Sequence, residues 1–315
     1  MLQVTFEDVQ AAAQRIAPYV HRTPVLTSRA LNRLSGADLF FKAENFQKVG
    51  AFKARGACNA VFSLGEEEVR RGVATHSSGN HAQAVAYAAA LRGIPATVVM
   101  PENAPPVKVA AVRDYGATIV WSGSHPLDRE RRLEALLRET GATFIHPSND
   151  SRVIAGQGTA ALELLADVPD LDVVMVPVGG GGLLAGTALA VTGLSPGSAT
   201  VAAEPETVDD AYRSFRDGYI YPSTNAETVA DGLRTFLGDI NFPIIRRYVD
   251  EIVTVSEEGI IAAMRLVWER MKIIIEPSSA VPVAVLWEHP TRFRQRRIGI
   301  ILSGGNVDLD HLPWK

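Results

Sequence analysis

Val173–Ala190 reads VVMVPVGGGGLLAGTALA. Val173 to Val178 form a short apolar run, the length of a buried strand. Gly179, Gly180, Gly181 and Gly182 follow with no spacer, and Leu183 opens an apolar helical segment. Consecutive glycines let backbone N–H groups converge on a bound group with no side chain in the way. The N-terminal end of a helix adds attraction for negative charge. A phosphate cradle at the carboxyl end of a strand is the expected product, where open α/β sheets bind their ligands. The run is not the dinucleotide pattern G-x-G-x-x-G, and no Lys-Ser/Thr follows to make a P-loop.

Outward from this stretch, apolar runs alternate with helix-period segments over most of the chain. Strands are expected in ADLFFKAE (37–44), GVATH (72–76), ATVVMP (96–101), TIVWSG (118–123), TFIHP (143–147), DVVMVPVG (172–179), ATVAAEP (199–205), EIVTVSE (251–257) and IGIILSGG (298–305). Helical segments such as PPVKVAAVRDYG (105–116) and LDRERRLEALLRET (127–140) lie between them. This alternation argues an α/β protein with parallel-rich, open twisted sheets and flanking helices. Nine or so strands are many for one sheet, so two domains are expected. The strand–helix units of 71–149 would form a small domain inserted into a large one made of 1–70 plus 150–315.

Composition narrows the function classes. The 315 residues carry a net charge of −4 and no basic stripe, which argues against nucleic acid or an anionic membrane as partner. No apolar run approaches a membrane span. The N-terminus, MLQVTFEDVQAAAQ, lacks the apolar region of a secretory signal. Cys58 has no second cysteine to pair with. A cytoplasmic protein is the expectation.

Two further stretches carry chemistry. SSGNHAQAVAYAAA (77–90) follows the strand GVATH and sets turn residues before a helix rich in alanine, a second anion site. In KAENFQKVGAFKARGACNAV (42–61), Lys53 stands at the start of a helical segment, facing the positive end of the dipole. That placement lowers an amine's pKa and suits a nucleophile or base. Taken alone, Lys53 also reads as a solvated surface charge. A reactive lysine together with a phosphate cradle and a second anion loop points to pyridoxal phosphate held through a lysine.

The chain resembles the fold-type II pyridoxal-phosphate enzymes of the tryptophan synthase β-like fold. Within them it is most similar to the group of serine racemases, serine/threonine dehydratases and 3-hydroxyaspartate dehydratases. The resemblance lies in HRTPVLTS (21–28), KAENFQKVGAFKARGA (42–57), HSSGNHAQA (76–84), HPSND (146–150), VIAGQGT (153–159), PVGGGGLLAG (177–186), AEPETVDDAY (203–212), VWERMKIIIEP (267–277) and SGGNVDL (303–309). These run in family order over nearly the whole chain.

The resemblance implies roles. Lys53 would be the Schiff-base lysine and the base for the α-proton. Gly179–Gly182 with Leu183 would hold the phosphate, and Asn80 the ring hydroxyl. Ser303 would face the pyridine nitrogen, and Phe52 would pack on the ring or serve only as core. Ser77, Ser78, Asn80 and His81 would grip the substrate carboxylate. Ser78 could also act as a second proton carrier opposite Lys53, as in the racemases, or only bind carboxylate. Glu204, Asp210 and the Val208 carbonyl would bind Mg²⁺ (or Ca²⁺ or Mn²⁺), unless Glu204, Asp209 and Asp210 are simply an acidic helix start. Arg129, with Thr235 nearby and Arg234 as the second choice, would meet the distal end of a dicarboxylic substrate. Ser148 replaces a larger family residue. Lys48, Tyr115, Arg270, Lys272 and Asn306 fall at positions of an intersubunit nucleotide site in animal racemases.

The implied function is a dehydratase releasing a 2-oxo acid and ammonia from 3-hydroxyaspartate, serine or threonine. The alternatives are a serine or aspartate-type racemase, a β-replacement synthase and an inactive amino-acid sensor. In this picture 1–70 plus 150–315 bind the cofactor, 71–149 close on the substrate, and the enzyme is a homodimer.

Overall fold

The computed structural model describes residues 2–77, 79–104, 106–123, 126–223 and 227–314. Its strands are β1 (Val25–Thr27), β2 (Asp38–Ala43), β3 (Val73–His76), β4 (Ala96–Pro101), β5 (Thr118–Ser122) and β6 (Thr143–Phe144). They continue with β7 (Val173–Pro177), β8 (Ala199–Pro205), β9 (Glu251–Val255) and β10 (Arg297–Leu302). A six-stranded sheet has the order β1-β2-β10-β7-β8-β9, and a four-stranded sheet the order β5-β4-β3-β6. Every pairing is parallel except β1 with β2. All nine expected strands are present. β1 is the addition, three residues long at the antiparallel edge.

Helices cover both faces of the large sheet, so its strands read as unbroken apolar runs. Along β7, Val174 and Val176 enter one core with Ile154, Leu164 and Leu184, while Val173 and Met175 enter the other with Phe41, Met264 and Val281. This is the period of two that a strand imposes. No helix among the described residues is long and apolar enough to cross a membrane.

Three helices on one face meet through glycine. In the Ser151–Asp167 helix, Gly156 and Gly158 point to different neighbours. A Cβ on Gly156 would lie 2.7 Å from the Arg55 carbonyl of the Lys53–Phe62 helix. A Cβ on Gly158 would lie 2.6 Å from the Gly186 carbonyl of the Gly182–Leu194 helix. The backbones therefore touch, and the two outer helices keep their N-termini, Lys53 and the glycine run, in fixed relation.

A buried charge cluster anchors the same region. Arg55 donates to Glu44 at 2.7 and 2.8 Å and to Glu163 at 2.8 Å, and Lys42 donates to Glu163 at 2.6 Å. Two cations face two anions, so no charge is stranded, and the pairing ties the lysine helix to β2 and the Ser151–Asp167 helix.

Candidate active site

The carboxyl ends of β2, β7 and β10 converge, and the ends of β3 and β6 join them. After β2 the chain makes two short 3₁₀ turns, Glu44–Phe46 and Lys48–Gly50. It is then stitched to the end of β10: Phe52 N–H donates to the Ser303 carbonyl at 2.9 Å, and Gly305 N–H donates to that of Gly50 at 2.9 Å. Lys53 and Ser303 are thereby neighbours although 250 residues apart in number.

Lys53 opens its helix as expected. Its Nζ donates to the Pro147 carbonyl at 2.7 Å and lies 5.0 Å from the centre of the Phe52 ring. Burial lowers its pKa to about 8, and Glu276 opposes that shift without cancelling it. Among the described residues it has no ion-pair partner. Phe52 packs on the core and also faces Lys53.

The glycine run has no room for side chains. Cβ atoms at Gly179, Gly180 and Gly181 would lie 2.8 Å from the Leu233 backbone, 2.4 Å from the Ser148 hydroxyl and 2.7 Å from Asn241 Oδ1. Gly181 has φ +79°, the left-handed region that favours glycine. Asn241 shapes the run from behind, donating to the Gly180 carbonyl at 2.8 Å. The hydroxyls of Ser148 and Thr235 both close on Gly180. The first-turn N–H groups of the Gly182–Leu194 helix, Leu183 included, have no carbonyl within the helix to donate to. This cradle fits a phosphate, and a half-buried lysine of lowered basicity fits the aldehyde carbon of pyridoxal phosphate.

On the other side, Asn80 begins the Asn80–Arg92 helix. Its amide donates to both Glu276 oxygens at 3.0 Å and accepts from Asn306 at 2.9 Å. Glu276 is buried, which raises its pKa to about 7. Ser77 accepts from Gly79 N–H at 3.2 Å, and Ser78 lies outside the described residues. His81 turns inward: Nε2 donates to the Ile145 carbonyl at 3.0 Å, and Nδ1 is buried without a partner. His146 accepts the N–H groups of Ser148 and Asn149 on Nδ1 at 3.1 and 2.8 Å. Burial holds His76 and His146 near pKa 4, so both are neutral.

Arg129 lies in the Pro126–Thr140 helix, half-buried, with its Nε lacking a hydrogen-bond partner. Its charge acts on His76 at the end of β3, which puts it at the edge of the same cleft. Arg234 is different, because its guanidinium is tied to the Thr228 carbonyl.

Ser303 is 2% exposed, and its hydroxyl meets that of Ser279 at 3.1 Å. Glu276, Ser279, Asn241 and His146 were not singled out by residue in the sequence, although HPSND and IIIEP contain two of them. The signal for each is its partner across the fold.

The acidic trio lies at the end of β8. Glu204 accepts N–H groups from Ala211 and Tyr212 at 2.9 and 2.7 Å. Asp210 is buried with no hydrogen bond of ordinary geometry to either oxygen, although the Ser223 hydroxyl approaches it. Burial raises both carboxyls. Asp209 instead pairs with Arg213 at 2.8 Å. Val208 ends the short Glu206–Val208 turn between the two acids. Among the described residues no three His, Cys, Asp or Glu side chains form a metal set. Two buried carboxylates and a carbonyl do suit a hard cation. Elsewhere, Lys272 and Asn306 line a surface cavity of about 380 Å³ with Phe46 and Gly50. Tyr115 packs edge-on against Tyr87 and lines a separate cavity.

Known proteins extend this picture. Residues 16–304 match the family described as "Pyridoxal-phosphate dependent enzyme". The chain is 52% identical to the beta-hydroxyaspartate dehydratase of Paracoccus denitrificans, over 98% of each chain. It is 49% identical to the L-threo-3-hydroxyaspartate ammonia-lyase of Saccharomyces cerevisiae, over 98% of this chain and 95% of that one. The crystal structure of serine racemase from Dictyostelium discoideum superposes with a TM-score of 0.93 at 49% identity, covering 97% of this chain and 99% of that one. A lysine at a helix start, a phosphate cradle and this similarity along the chain agree: the protein belongs to the pyridoxal-phosphate dependent enzymes of fold type II.

Proposed function

We propose that this chain is an ammonia-lyase that removes water from a β-hydroxy amino acid with a second carboxylate, 3-hydroxyaspartate being the simplest. The observation that carries the substrate class is Arg129, a half-buried cation with an unsatisfied Nε and no carboxylate partner among the described residues. A distal carboxylate would supply that partner. The identities of about half to the two hydroxyaspartate enzymes support the same reading.

Pyridoxal phosphate, when bound, supplies the sink for the electrons left behind by the α-proton. The chain does the rest. The cradle Gly179–Leu183 would hold the phosphate, Ser303 would face the ring nitrogen, and Lys53 would carry the cofactor. As a free amine Lys53 would take the α-proton, helped by a pKa of about 8 that leaves part of it unprotonated near neutrality. The N-terminal end of the Asn80–Arg92 helix, with Ser77, would hold the α-carboxylate. The proton taken from the α-carbon balances the one the β-hydroxyl needs to leave as water, and the product released would be an enamine. Its imine form then takes up water, so the net products are a 2-oxo acid and ammonia.

The same reading includes Mg²⁺ on Glu204, Asp210 and the Val208 carbonyl, ordering that turn away from the chemistry. It also includes a homodimer, a cytoplasmic location and a substrate-closing unit at 71–149. Racemisation of serine is a second reading, supported by the similarity to serine racemases. It needs a proton carrier opposite Lys53, a role that the resemblance offers Ser78 beside that of binding carboxylate alone.

A substrate panel tests the proposal: both 3-hydroxyaspartates, L- and D-serine and L-threonine, with and without a chelator, reading ammonia, 2-oxo acid and chirality. Hydroxyaspartate is expected to be preferred. Arg129→Ala should lower kcat/KM for it roughly 10- to 100-fold while sparing serine. Chelation should lower activity and Mg²⁺ restore it. Equal loss on serine and hydroxyaspartate in Arg129→Ala would remove the distal-carboxylate role. No ammonia from any substrate would remove the lyase reading.

A further inference from the structure

His146 lies two residues past β6, in the turn that leads into the Ser151–Asp167 helix. Its Nδ1 accepts two backbone N–H groups, those of Ser148 at 3.1 Å and Asn149 at 2.8 Å. No backbone carbonyl takes either N–H among the described residues. The ring packs edge-on against Phe144 and His76, with centroids 5.5 and 6.2 Å away.

A ring nitrogen that accepts a hydrogen bond has a lone pair and no proton. Two N–H groups aimed at Nδ1 therefore fix the tautomer, and the neutral ring carries its proton on Nε2. The lone pair closes the turn, and the turn then faces three ways. The Pro147 carbonyl accepts from Lys53 Nζ at 2.7 Å. Ser148 is pressed on the cradle, its carbonyl 2.8 Å from where a Cβ on Gly182 would lie. The Asn149 amide accepts the Ile240 N–H at 2.9 Å and donates to Asp239 at 2.7 Å.

We propose that His146 is a positioning residue for Lys53: its Nδ1 lone pair folds the turn that aims the Pro147 carbonyl at the amine. This rests on Lys53 being the base in the proposed function. An unprotonated amine has two N–H groups and one lone pair. Giving one N–H to Pro147 leaves the lone pair fewer directions to take. Once the amine has accepted the α-proton it is an ammonium, and a charged donor holds the same carbonyl more strongly. The contact thus tightens along the step it assists. Without Nδ1, the two N–H groups of the turn would need other acceptors, and the carbonyl would move with them.

The test is exchange of the α-proton of L-aspartate by the holoenzyme in heavy water, followed by proton NMR. L-Aspartate has no leaving group, so the Lys53 step is read apart from the loss of water. Wild type is compared with His146→Phe, which keeps a ring but has no lone pair, and with His146→Asn, whose Oδ1 can stand where Nδ1 stood. At saturating L-aspartate, exchange by His146→Phe should fall roughly 10- to 100-fold, and His146→Asn should restore most of it. Nitrogen NMR of the wild-type histidines should show His146 with a bare Nδ1 and a protonated Nε2 near neutrality. Exchange by His146→Phe at the wild-type rate overturns the proposal, as does a loss that saturating L-aspartate repairs. A His146→Asn variant that follows Phe overturns it too, because the acceptor is then not the cause. So does a proton found on Nδ1. If wild type releases no ammonia from any β-hydroxy amino acid, the lyase reading falls, and the same ranking of variants in exchange still supports His146. No exchange by wild type removes Lys53 as the base, and the proposal falls with it. Should His146→Phe fail to fold, His146→Leu replaces it with the same outcomes.

Discussion

Lys53 sits where its charge is least welcome. In protein free of cofactor, its amine titrates near 8 when folded and near 10.5 when unfolded. The folded value is the lower one. The unfolded chain therefore binds more protons between these values, and stability rises with pH across that window. Below pH 8 the whole penalty is present. Lys53→Met should remove it. Without cofactor, the variant is expected to be on the order of 2 kcal/mol more stable than wild type at about pH 7. That gain should shrink toward zero as pH approaches 10.5. Urea unfolding at several pH values checks this, and a pH-independent difference would contradict it. Lys53 was legible in the sequence because its neighbours in KAENFQKVGAFKARGA mark it. The sequence argument credited the helix dipole, whereas burial is the main cause of the shift. Glu276 was not legible as a site residue, because what makes it one is Asn80, 196 positions away.

Strands and helices were read well where they were long or strongly apolar. β7 shows its period of two only through the two cores, since both faces are covered. β1 escaped because three residues carry no period, and only its pairing with β2 makes it a strand. VIAGQGT was legible as a motif but not as a mechanism. Its glycines alternate toward two helices that the sequence does not place side by side. That contact can be broken at one atom. A Cβ on Gly186 would fall 2.4 Å from the Ile154 carbonyl, backbone against backbone. Gly186→Ala should destabilise the holoenzyme by roughly 1–3 kcal/mol. It should also weaken cofactor retention, because the displaced helix begins at the glycine cradle. Gly197 meets nothing within 4 Å, so Gly197→Ala is the control. It should stay within about 0.5 kcal/mol of wild type. Thermal unfolding with parallel cofactor titration separates the two, and equal behaviour would contradict the role given to the contact.

At the scale of the molecule, the cleft has one wall on each sheet. The Pro106–Asp114 helix belongs to the small-sheet segment, and its Lys108 reaches Asp231 at 2.5 Å. Asp231 opens the Asp231–Leu233 turn, and Leu233 is the residue pressed against Gly179. The link thus runs from the substrate side to the phosphate cradle. Both partners are partly exposed, 24% and 45%, so the pair contributes less than about 1 kcal/mol. A contact that weak can be made or released by substrate. If 71–149 close as a unit, a dicarboxylic amino acid without a leaving group should draw them in through Arg129. Hydrogen exchange of the holoenzyme with L-aspartate should show protection along 106–114 and at the start of the Pro126–Thr140 helix. Arg129→Ala should abolish that protection at an L-aspartate concentration that saturates wild type, while Lys108→Ala should only reduce it. Protection confined to the cradle, with 106–114 exchanging as before, would mean that the substrate is bound without closure and that the small sheet is a fixed wall.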